Sequence, residues 1–209
     1  MLKPKSIIFL LINCLMVVSF VSACGSEIQE SASDKGIGKG GPASLVKSYD
    51  TMTELAKDAK IIAEIQVSSQ ETITYLDMPF TISTVEVLKS FKGEHKQGDT
   101  IRIIETGGEF TPLDKQGNPL PKTTMKFNGI PVLQKDEHNV IFLNVFEGPQ
   151  VSGEVYVPLG VYQGRFKVDA KGNLVQQAPD QEKLKDFSKM KIDNFDNKLQ
   201  EALDSSRTE

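Results

Sequence analysis

Lys60-Ile61-Ile62-Ala63-Glu64-Ile65-Gln66-Val67-Ser68 decides the class of the fold. Ile61, Ala63, Ile65 and Val67 fall on one face, and Ile62, Glu64, Gln66 and Ser68 on the other. A repeat of two is the signature of a half-buried strand. Downstream the same texture returns. Asp77-Met78-Pro79 marks a turn, and Phe80 to Leu88 predicts a second strand rich in Thr, Val and Ile. Phe91-Lys92-Gly93 and Gly98-Asp99 carry turn chemistry before a third strand, Thr100 to Thr106, which ends at Gly107-Gly108. Residues 109–131 hold four prolines (Pro112, Pro119, Pro121, Pro131) and read as an excursion with a small hairpin at Asp114–Asn118. Strands follow at Val140–Phe146 and Val155–Val157. A last hairpin sets Tyr162, Gly164, Phe166 and Val168 against Leu174–Gln176 across Asp169–Asn173.

Either side of this region the spacing turns helical. Thr51 and Glu54 have capping-box spacing, which predicts a helix over 45–59 with Leu45, Tyr49, Met52, Leu55 and Ala59 on its apolar side. In the polar tail, Asp193 stands where it could cap a helix that aligns Phe195, Leu199 and Leu203. Short strands sharing one apolar face leave costly edges unless the sheet closes. The expected fold is therefore mainly β: a small antiparallel, OB-like β-barrel with a short N-terminal helix and a C-terminal helix. The barrel domain is assigned to residues 43–180 and the helical tail to 181–209.

The beginning of the chain has a different character. Lys3 and Lys5 precede an apolar run from Ile7 to Val18, broken only by Asn13 and Cys14. A short basic segment, an apolar run and a small-residue cleavage site make an export signal, here residues 1–23. Val21-Ser22-Ala23-Cys24 resembles the lipobox of bacterial lipoproteins. The resemblance implies that the Cys24 thiol receives a diacylglyceryl group and that the leader is cut between Ala23 and Cys24. Acyl chains on Cys24 make the lipid bilayer a partner, because each buried methylene contributes ~0.8 kcal/mol. Gly25 follows the cysteine, and the overall resemblance points to the outer face of a Gram-positive plasma membrane. A Gram-negative outer membrane is the alternative compartment.

Residues 24–42 read as a lipidated flexible tether. Gly36-Ile37-Gly38-Lys39-Gly40-Gly41 superficially resembles a phosphate-cradling loop. That motif needs a strand before it and a helix after it, and an acidic, Ser-rich stretch precedes it here. Removing Lys3 and Lys5 with the leader takes the formal net charge from −4 to −6. With no Lys/Arg cluster, nucleic acid is not an expected partner. Losing Cys14 with the leader leaves Cys24 alone, so the mature chain can form no internal disulfide and relies on its core.

The runs TELAKDAKIIAEIQV (53–67), FTISTVEVLKSFKG (80–93), GDTIRIIETGG (98–108) and VYQGRFKVD (161–169) resemble a group of uncharacterised Gram-positive lipoproteins with a small β-barrel domain. The resemblance covers about residues 50–175 and supports fold and location. Glu64-Ile65 occupies a place where glycine is common in that group. The group has no settled activity to carry over.

The residues offer little chemistry. His95 and His138 stand far apart in charged, turn-like stretches, and Asp136-Glu137-His138 falls short of a metal-ligand pattern. No metal or other cofactor is expected. There is no Gly-x-Ser-x-Gly segment, and acylation of Cys24 removes it as a nucleophile. Glu105, beside the glycine pair, is the one strand acid that could serve a cell-envelope hydrolase together with a second acid. Gly107, Gly108, Tyr162 and Gln163 read in two ways. Glycines at strand ends usually mark bends or close approach. Alternatively they form the rim of a binding groove, with the Tyr162 ring and Gln163 amide facing a ligand and the 109–131 excursion as a flap. The expected function is a non-enzymatic, membrane-anchored binding or envelope-accessory module for a peptide, glycan or partner protein. The hydrolase using Glu105 is the alternative.

Overall fold

The computed structural model describes residues 47–148, 151–187 and 189–205. The export signal, the lipobox, the tether and Leu45 lie outside the described residues. Among the described residues the fold is mainly β, with one short helix ahead of the strands and one after them.

Helix α1 spans Met52–Asp58. The Thr51 hydroxyl accepts from the Glu54 N–H, and the Glu54 carboxylate accepts from the Thr51 N–H, which completes the capping box. The helix is shorter than the expected 45–59 because the backbone at Tyr49 is taken elsewhere: its N–H donates to Gln163 Oε1 at 3.0 Å. Tyr49, Met52, Leu55, Ala56 and Ala59 are buried, as their spacing demands.

The strands are β1 Ile61–Tyr75, β2 Met78–Lys92, β3 Thr100–Thr106, β4 Gly108–Phe110, β5 Thr123–Met125, β6 His138–Val145, β7 Tyr156–Pro158, β8 Arg165–Val168, β9 Asn173–Gln176 and β10 Met190–Lys191. β1 and β2 are each 15 residues long and run past the limits read from the sequence. Phe91 and Lys92 belong to β2, not to a turn, and Tyr162 to Gly164 belong to a turn, not to a strand. β1 pairs with β2 from Ile62 to Tyr75, with register shifts at Ile62/Ala63, Glu64/Ile65 and Val67/Ser69, and with β6 over Ile61–Gln66. β2 pairs with β3, β3 meets β7, and β7 pairs with β6. The β3–β7 contact, Ile103 with Tyr156, is parallel, so the sheet is not purely antiparallel. β8, β9 and β10 extend from β6, and β4 and β5 make a separate two-stranded sheet within the excursion.

Two apolar clusters sit on opposite faces of β1 and β6. Ala63, Ile65, Val85, Val87, Ile101, Ile103, Leu133, Ile141 and Leu143 share the inner one. Ile62, Val140, Phe142 and Phe166 join α1 and the C-terminal helix α2, Phe195–Ser205, in the other. Phe195 and Leu199 are fully buried there, so the helical tail is part of the body. Asp193 lies inside a 3-10 turn, Ile192–Asn194, just ahead of α2.

Candidate functional site

Glu105 follows Ile101 and Ile103 at a spacing of two and points to the same inner face. It is buried, at 5% exposure, instead of lying on the solvent face. Glu105 Oε2 accepts from the Leu133 N–H at 2.9 Å, and Oε1 lies 2.8 Å from Arg165 Nη1. Arg165 in turn donates to the Pro131 carbonyl at 2.8 Å. Thus the ion pair clasps residues 131–133, and the Leu133 side chain enters the inner cluster. Burial pushes the Glu105 carboxyl above the usual carboxylate range, against the lowering pull of Arg165 and of the Leu133 N–H. Glu105 Oε1 thus meets Arg165 as an ion pair only, and among the described residues Arg165 Nε and both amide atoms of Asn139 have no hydrogen-bond partner. A raised carboxyl is what a general acid needs, but here the clasp engages both oxygens away from solvent.

Tyr162 and Gln163 are each 1% exposed, so neither presents an open face to a ligand. The Tyr162 hydroxyl donates to Glu182 Oε2 at 2.5 Å and accepts from Asn128 Nδ2 at 2.9 Å. Burial and Glu182 push its pKa up to about 12. Gln163 Nε2 donates to the carbonyls of Tyr49 and Glu182, while its Oε1 takes the Tyr49 N–H. These side chains bind Tyr49, just ahead of α1, to the C-terminal part of the chain. A cleft of about 340 Å³ lies outside Gln163, bordered by Ser48, Asp50, Glu182 and Lys185. Its charges pair internally, Lys185 with Asp50 at 2.6 Å and Lys183 with Asp180 at 2.7 Å.

The glycine pair is a bend. Gly107 and Gly108 have φ of 119° and 118°, a backbone region closed to ordinary side chains. A Cβ on Gly108 would stand 2.1 Å from Thr81 Oγ1. The Gly107 N–H donates to the Pro79 carbonyl and its own carbonyl accepts from Thr81 Oγ1. The excursion beyond it is built, with β4 on β5 and Asp114 Oδ1 accepting the Gln116 and Asn118 N–H groups. His95 and His138 have separate partners, Tyr156 OH at 2.9 Å and Glu64 Oε1 at 2.6 Å.

A site that the sequence reading missed lies on the outer face of β2 and β3. Ile82 pairs with Ile104, on the face opposite Ile103, and both are buried with Val155. Ile73, Phe80, Phe146, Val151 and Val157 surround them half-buried. Phe80, Ile104, Thr106, Phe146, Val157 and Val161 line a hollow of about 70 Å³ that Glu105 also borders. Val161 has φ of 62°, an outlier for a β-branched residue, and strain of this kind gathers at binding and switch sites. Arg102 fixes one border by reaching the Ser152 carbonyl at 2.8 Å and Glu71 at 3.3 Å. The signal available in the sequence was the doublet Ile103-Ile104, which requires cover on both faces of one strand.

Compared with known proteins, the chain matches no family model, no curated protein and no solved structure.

Proposed function

We propose that the chain is a lipid-anchored, extracytoplasmic binding module without enzymatic activity, carried on a small OB-type barrel at the outer face of a Gram-positive plasma membrane. The location rests on Val21-Ser22-Ala23-Cys24 behind the basic and apolar leader. The barrel reading rests on the pairings, which return from β1 through β2, β3, β7 and β6 to β1. Such a ring has no free edge within it.

The observation that carries the binding reading is the apolar hollow between Phe80, Phe146 and Val157. OB barrels take ligands on the face of their second and third strands, between the loop after strand one and the loop after strand four. On this reading the hollow takes the role of that face, with Phe146, Val151 and Val155 beside it. Two phenylalanines and few polar groups suit an apolar side chain of a peptide or partner protein better than the hydroxyls of a glycan. The enclosure of Glu105 disfavours the hydrolase reading.

Two measurements test this. Cys24→Ala is expected to abolish incorporation of labelled palmitate and to move the protein out of the membrane fraction; continued acylation would refute the anchor. Phe80→Ser and Phe146→Ser are each expected to weaken capture of an envelope partner at least about tenfold while leaving cooperative unfolding in place. Unchanged capture by both folded variants would remove the hollow as the site.

A further inference from the structure

β1 has a free edge. Its pairing with β6 ends at Gln66–His138, and Val67 exchanges one more pair of bonds with Asp136 and Glu137. From Ser68 to Tyr75, β1 pairs with β2 and with no other described strand. An unpaired edge invites another chain, and natural proteins blunt such edges with Pro, Lys or bulges. Ser68-Ser69-Gln70-Glu71-Thr72-Ile73-Thr74-Tyr75 has neither Pro nor Lys, and its register with β2 is unbroken from Ser69 to Tyr75. The one charge, Glu71, is held by Arg102.

The turn fixes which groups face outward. Leu76 and Asp77 have φ of 48° and 59°, the conformation of a two-residue primed turn. The flanking residues Tyr75 and Met78 then form a hydrogen-bonded pair, and bonded pairs alternate along the hairpin. Tyr75, Ile73, Glu71 and Ser69 bond to β2, whereas Thr74, Thr72 and Gln70 turn N–H and C=O away from it. Pro79, opposite Thr74, fits this pattern: it has no N–H to give β2's partner, and its carbonyl accepts from Gly107 on the β3 side.

The geometry points to a second copy of this chain as the occupant, paired antiparallel with the same edge about a two-fold axis at Thr72. Three outward residues centred on Thr72 are self-complementary: Thr72 meets its counterpart and Gln70 meets Thr74, giving about six main-chain hydrogen bonds. Glu71 then lies opposite Ile73, so no like charges oppose each other. Leu76, 78% exposed at the tip, comes beside Ser68 of the copy. Asp136, closing the edge at Val67, bars any further slide. A glycan or a lipid offers no matching ladder of amides.

The test uses residues 24–209 with Cys24→Ser, which leaves no other thiol. In a hydrogen-bonded antiparallel pair the Cα atoms stand about 5.5 Å apart, within reach of a disulfide. Thr72→Cys is expected to give a covalent dimer under mild oxidation. Thr74→Cys alone is expected to give none, while a mixture of Gln70→Cys and Thr74→Cys chains cross-links. Independently, Thr72→Pro removes an outward N–H without touching the β2 ladder, and is expected to halve the hydrodynamic mass of the uncross-linked chain. A Thr72→Cys chain that stays monomeric while its thiol reacts with a small reagent overturns the proposal. So does equal cross-linking at all three positions, or a wild-type chain that sediments as a monomer and pairs only with an added extended peptide.

Discussion

Replacing Arg165 with methionine is expected to lower the free energy of unfolding by about 3–5 kcal/mol at neutral pH, read from urea or thermal denaturation. The guanidinium lies 2.8 Å from a carboxylate that is itself buried, and its removal leaves Glu105 without a countercharge. It also leaves the Pro131 carbonyl without a donor and loosens the segment that lodges Leu133 in the inner cluster. Replacing both partners with methionine is expected to cost less than the two single losses together, because an apolar pair of similar volume fills the site without a stranded charge.

The loss carries a pH signature. Burial raises Glu105 in the fold, so the folded chain keeps this proton where the unfolded chain has released it. Stability from this group is greatest below the ordinary carboxylate range and declines as pH rises toward the raised value. Without Arg165 the carboxyl rises further, so the deficit of Arg165→Met widens from acid to neutral pH. A deficit under about 1 kcal/mol, or one indifferent to pH, would mean that the clasp holds nothing.

Tyr162→Ala is expected to cost about 3–5 kcal/mol of stability. The ring is 1% exposed, lies 6.1 Å centroid to centroid from Phe127, and joins Asn128 to Glu182 through its hydroxyl. Tyr162→Phe keeps the ring and loses only the hydroxyl bonds, for about 1 kcal/mol. Circular dichroism melts of the two variants separate the contributions. A Tyr162→Ala protein melting with the wild type would mean that the ring is not packed, and would revive the open-rim reading.

The strands were legible where one face is apolar and the other polar, as at Ile61–Val67. The reading lost β1 at Ser68 because Ser68 to Thr72 is polar throughout and only Ile73 and Tyr75 break the run that follows. β2 continues to hold them through a turn, Leu76-Asp77, that lacks the glycine or asparagine by which such turns announce themselves. Capping at Thr51–Glu54 was legible because both partners sit in one local frame. Glu105 carried a readable clue, its spacing from Ile101 and Ile103, but its partner Arg165 comes from another strand and no local pattern connects them. Tyr162 and Gln163 read as a ring and an amide on a groove rim, whereas the structure buries both. Their burial depends on Tyr49 and Glu182, each supplied by a distant part of the chain.

The grip of Gln163 on Tyr49 has a mechanical consequence. One amide holds both the N–H and the carbonyl of Tyr49, and Lys47 is paired to Asp58 just before it. A pull applied at Lys47 is therefore shared between a side chain rooted in the core and the last residue of α1. Bonds that share a load fail together at higher force than bonds opened one by one, so this junction strengthens the fold against force applied at Lys47.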